Sequence, residues 1–221
     1  EQPFSDNLEE QLPKWSDSLG SLFRGKSGGV SDKELAAMAA EAERASPGAR
    51  WAVFNRLGDA YLKTGDRSRA LKYFGKAIDS LLEDDQPEPA RAVVKKVIRL
   101  HPEAIRTLCT LTWLDLASMK PSEAKLSLAR YAKAAKKGKQ NQLACAQILE
   151  MARIFPEADF LEEAAEALDI LGCTADSAKV ATWAAEGTHE GGLKDKKSLH
   201  FLCLKAAIGS NVKLKDKGAL T

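Results

Sequence analysis

The chain has 221 residues, a formal net charge of +2, and is 44% hydrophobic and 29% charged. That balance is ordinary for a globular chain. It gives no global push toward nucleic acid or an anionic membrane, and no apolar run reaches the ~18 residues that a membrane span requires. Cys109, Cys145, Cys173 and Cys203 are widely spaced; they read as small buried residues rather than disulfides or ligands, and so as a reducing, cytoplasmic setting.

In residues 1–30, Leu8, Leu12, Trp15, Leu19, Leu22 and Phe23 recur at spacings of three and four, an amphipathic stripe interrupted by Pro13 and followed by a glycine-rich linker. Trp15, Leu19, Leu22 and Phe23 are its docking face. It either packs on the chain's own first unit or enters a partner's groove. Few basic residues flank it, which argues against a membrane surface. The run from Gly20 to Ser27 matches the phosphate-loop pattern, but LPKWSDSL before it is polar and helix-like where a buried strand is needed. The match is a coincidence on this reading.

Ser31 and Glu34 form a capping box that opens an alanine-rich helix over 31–46, a cap for the first repeat unit. From Trp51 the chain repeats itself with a 54-residue period, the copies starting at Trp51, Ile105 and Asp159. Ala70, Ala124 and Ala178 fall one period apart, as do Leu62, Leu116 and Ile170; Pro102 and Pro156 mark helix stops. The repeat domain is therefore 31–210, with units 51–104, 105–158 and 159–212 and a tail over 211–221. Each unit reads as three helices. In unit one they cover about 51–63, 67–82 and 90–100, with a turn at Gly65-Asp66 and a break over the acidic, proline-rich 83–89. In unit three the last helix falls over 197–208. No segment alternates like a strand. The expectation is an all-α chain of about ten helices that stack, because units of this size cannot bury an apolar face alone.

Phe54, Leu57, Gly58 and Tyr61, followed by Ala70, Phe74 and Ala77, resemble the tetratricopeptide repeat at the family spacing. Unit two fits through Leu108, Leu111, Ala124, Leu128 and Tyr131, with Thr112 in place of Gly and Asp115 in place of Tyr. Unit three puts Glu162 and Glu166 where apolar and small residues belong. The chain resembles a variant array with one helix added per unit. The resemblance implies a right-handed solenoid of antiparallel helices whose concave side binds peptides or protein surfaces, and no catalysis. The family's groove positions would be Ala52, Asn55, Asp59, Leu62 and Lys63 in unit one, Arg106, Cys109 and Trp113 in unit two, and Phe160, Glu163 and Ala167 in unit three. Trp113 reads either as a groove hot spot or as core buried by the added helix.

The loop between second and third helices changes from acidic in unit one (Glu83, Asp84, Asp85, Glu88) to basic in unit two (Lys133, Lys136, Lys137, Lys139). Unit three adds Lys194, Lys196 and Lys197, so these lysines share one edge. The edge is a solvated rim or a site for an acidic partner; without interleaved aromatics for stacking, nucleic acid is a poorer fit. His101, His189 and His200 have no ligand-spaced neighbours, and Glu162, Glu163 and Glu166 read as a solvated face. No catalytic, metal or cofactor site is expected. The reading is a non-enzymatic scaffold that binds another protein or peptide segment, as one piece of a larger assembly, with the lysine edge as the alternative surface.

Overall fold

The computed structural model describes residues 30–186 together with Cys203 and Lys205, and the regular structure among them is all helical. The described helices are α1 (Asp32–Arg44), α2 (Pro47–Lys63), α3 (Arg67–Glu83), α4 (Pro87–Leu100), α5 (Ile105–Ala117), α6 (Pro121–Lys137), α7 (Asn141–Ile154), α8 (Ala158–Ile170) and α9 (Thr174–Glu186). Each packs on the next in sequence, and α6 also packs directly on α8. Cys203 and Lys205 are helical too, within the segment expected to close unit three, and Cys203 is buried. The lysines at 194, 196 and 197, and the stripe from Trp15 to Phe23, lie outside the described residues.

One turn design recurs. Gly65, Asp85, Met119, Lys139 and Gly172 all adopt positive φ, between 54° and 84°. In each case the next residue's N–H donates to the carbonyl five positions back: Asp66 to Tyr61, Gln86 to Leu81, Lys120 to Asp115, Gln140 to Ala135 and Cys173 to Leu168, at 2.8 to 2.9 Å. This satisfies a terminal carbonyl and reverses the chain within three residues. Only glycine takes that conformation without steric cost, so Asp85, Met119 and Lys139 are held there by the helices on either side.

Helix starts differ from expectation at two prolines. Pro47 and Pro87 each stand at the first position of a helix, so α2 and α4 begin earlier than residues 51 and 90. Proline has no N–H to lose there, and its φ suits the first turn. The capping box forms as read: Ser31 Oγ accepts from the Glu34 N–H, while the Ser31 N–H donates to Glu34 Oε2 at 2.7 Å.

The family-like residues face inward. Leu57, Ala70, Phe74 and Ala77 are fully enclosed, as are Leu108, Ala124, Leu128 and Tyr131. At Gly58 a Cβ would stand 2.5 Å from the Phe74 ring, so α2 and α3 approach only because that side chain is missing. Unit three needs a correction. Relative to α5 and α6, helices α8 and α9 start 53 residues on rather than 54, and the turn residue after α8 is Gly172. The missing residue comes from the connector, 155–157 against 101–104. Leu161, Ala164, Ala165 and Leu168 then fill the core positions of α8, all buried, while Glu162 and Glu166 are exposed. Ser177 replaces Ala178 as the counterpart of Ala124; it is half-buried and donates to the Ala165 carbonyl at 2.8 Å, whereas Ala178 is exposed.

Candidate binding surface

Several of the groove positions that the resemblance implies are engaged within the chain itself in units one and two. Lys96 of α4 sets its ammonium 4.3 Å from the centre of the Phe74 ring. From there it reaches Asp59 Oδ1 at 2.5 Å and donates to Asn55 Oδ1 at 3.3 Å. In unit two Arg106 is ion-paired with Asp79 of α3. Cys109 and Trp113 are buried, and the Trp113 indole N–H points to Gln147 Oε1 of α7 at 3.5 Å. Trp113 is therefore core, and the hot-spot assignment falls because a fully buried indole offers no area to a partner. In unit three Phe160 and Ala167 are buried and Glu163 half-buried. With the one-residue correction the outward positions become Asp159, Glu162, Glu166 and Asp169, an exposed acidic stripe along α8. Lys63, at the end of α2, is exposed.

Asp115, where the resemblance would place a tyrosine, is buried. Arg91 of α4 donates to Asp115 Oδ1 at 2.7 Å and also binds Glu123 of α6, while Ser127 Oγ donates to Asp115 Oδ2 at 3.2 Å. Burial raises the carboxyl's pKa, and the hydrogen bond and charge of Arg91, then Ser127, oppose that rise. The group is thus a structural tie between α4, α5 and α6, closed to substrate. Arg91 was not singled out in the sequence; a buried acid at a core position was the signal that a cation had to meet it.

The cysteines also require a correction. Cys145 of α7 and Cys173 of the α8–α9 turn are joined as a disulfide, beside Asn141 Nδ2, which donates to the Leu171 carbonyl at 3.0 Å. The inference from four separate thiols to a reducing, cytoplasmic setting loses its premise. Cys109 and Cys203 are free, and burial pushes both thiols up to about 12. A thiol so protonated is a poor nucleophile. Among the described residues no group of His, Cys, Asp and Glu is arranged to hold a metal ion, and no helix is long and apolar enough to cross a membrane.

Two further features are open to a partner. The outer face of α6 carries Leu126, Arg130, Lys133, Lys136 and Lys137, with Lys139 in the turn beyond; all are exposed. Leu126 is the exposed large apolar side chain of the described residues. Lys137 pairs with Glu103 at 2.8 Å, and Arg130 donates to the Pro102 carbonyl at 3.4 Å, which sets this face beside the α4–α5 connector. His101 and Ala104 of the same connector, with α3, α4 and α5, line an open recess of about 130 Å³. No family profile matches the chain, and no curated protein or solved structure is found to be similar to it.

Proposed function

We propose that this protein is a non-enzymatic scaffold, a right-handed solenoid of the tetratricopeptide type, that binds an acidic protein segment on the lysine-rich edge of α6 and not in the family groove. The observation that carries the reading is the occupation of Asn55, Asp59 and Arg106 by Lys96 and Asp79, together with the enclosure of Trp113. These contacts engage the groove positions of units one and two, while Arg130, Lys133, Lys136, Lys137 and Lys139 stay exposed as one basic face on α6 and the turn after it. Opposite charge on a partner would steer and register it there.

The test compares proteins retained from a lysate of the source cells by the full chain and by a Lys133→Glu/Lys136→Glu/Lys139→Glu variant with unchanged helical circular dichroism. The reading expects a defined set of acidic proteins that survives nuclease treatment and is lost with the charge reversal. Retention that vanishes with nuclease would move the edge to nucleic acid. Identical retention by both chains would sink the edge assignment.

A further inference from the structure

The recess is walled by carbon from Leu71, Gly75 and Ile78 of α3 and Val97 of α4, and is completed by the exposed His101 and the half-buried Arg106. Gly75 lies in the interior of α3, where glycine is disfavoured relative to alanine. At Gly58 and Gly138 glycine permits close approach, a Cβ standing 2.5 Å from Phe74 at the first and 2.5 Å from Ile105 at the second. At Gly75 the nearest atom to such a Cβ is Arg106 Nη1 at 3.8 Å, an ordinary contact. No packing within the described chain requires the glycine. What its missing side chain does is widen the recess.

Volume and charge narrow the occupant. An apolar cavity of about 150 Å³ holds one benzene-sized group, whereas pockets for cofactors and drug-sized ligands begin near ~300 Å³. A recess of about 130 Å³ therefore suits one side chain. Around it, Lys72 is exposed on the face of Gly75, and Arg130 reaches the Pro102 carbonyl next to His101, with Lys133 one turn further along α6. The nearby acids are engaged, Asp79 with Arg106 and Glu103 with Lys137.

We propose that the recess receives a single aliphatic side chain, leucine- or methionine-sized, from the acidic partner segment, whose flanking carboxylates meet Lys72, Arg130 and Lys133. This rests on the edge-binding reading above and names the anchor within it. The test pans a displayed library of short random peptides on the full chain. Selected peptides are then titrated by fluorescence anisotropy against wild type, Gly75→Leu, Thr107→Leu and Lys133→Glu. Thr107→Leu fills the recess from α5 should Gly75→Leu fail to fold. The expected peptides carry one leucine, isoleucine or methionine among Asp and Glu. Either filling variant weakens them by about tenfold or more at an unchanged or raised melting temperature, and Lys133→Glu weakens them in a salt-dependent way. Peptides that bind the filled variants as tightly as wild type but lose affinity with Lys133→Glu overturn the recess and spare the edge. No enrichment, or indifference to all three variants, overturns both.

Discussion

Asp115 stands where the tetratricopeptide resemblance would place a tyrosine, and its charge changes what the neighbouring residues must be. Its carboxylate holds Arg91 at 2.7 Å and Ser127 at 3.2 Å. Replacing Arg91 with Met leaves that carboxylate buried without its cation, at a cost of about 3–5 kcal/mol near neutral pH. The sign of the pH dependence comes from burial. The folded-state pKa of Asp115 lies above its unfolded value, so the folded chain holds the proton more tightly. Stability from this group is greatest below the unfolded value and falls as pH rises through the raised one. Without Arg91 the rise is larger still. Urea unfolding should therefore show a small gap between wild type and Arg91→Met near pH ~4 and a large one near pH ~7; equal gaps would show that the ion pair is not what Arg91 supplies. That an acid stands at an inward-facing position was legible in the sequence. Its partner was not, because it lies 24 residues away on another helix, where no local spacing rule points to it.

Between elements, the same residue type does opposite work at two places. Gly58 lets α2 touch α3, and Gly75 leaves space open beside α5. Gly58→Ala forces the Phe74 ring to move and should destabilise by about 1–3 kcal/mol, while Gly75→Ala should stabilise by about 0.5–1 kcal/mol through helix propensity. Thermal unfolding of the pair decides it, and a shift of the same sign in both would contradict the packing account. The Cys145–Cys173 disulfide ties α7 to the turn after α8 across a sequence separation of 28. Its loss in Cys173→Ser should lower the unfolding free energy by about 3 kcal/mol. Wild type under dithiothreitol should match that variant, and wild type indifferent to the reductant would argue against the tie. Helix spans were readable because Gly65-Asp66 and the apolar stripes carry local chemistry. The register of unit three was not: a constant 54-residue period hid the one-residue loss in 155–157, and with it the burial of Leu161 and Ala165.

At the scale of the whole molecule, periodicity revealed the helices of the described residues but not which groove positions are engaged inside the chain. Groove positions were carried over from units of two helices, and the third helix lies across them: Lys96 on Asn55 and Asp59, Gln147 on Trp113. Side-chain reach between helices far apart in sequence decides such coverage, and no single-helix pattern contains it. The charge change along the second-to-third-helix turns, by contrast, was plain in the sequence, and Lys133, Lys136, Lys137 and Lys139 do stand exposed.

The connectors have a consequence of their own. Over 101–104 the chain leaves α3 and α5 apart around the recess, and over 155–157, one residue shorter, α6 meets α8 directly. One residue spans at most ~3.5 Å, about the difference between a seam with room for a guest and a seam that is shut. The described helices act as vertebrae of nearly constant build, and the joints between them are where the openings are set. Lengthening or trimming a joint by a single residue can add or remove a berth while every vertebra stays as it was.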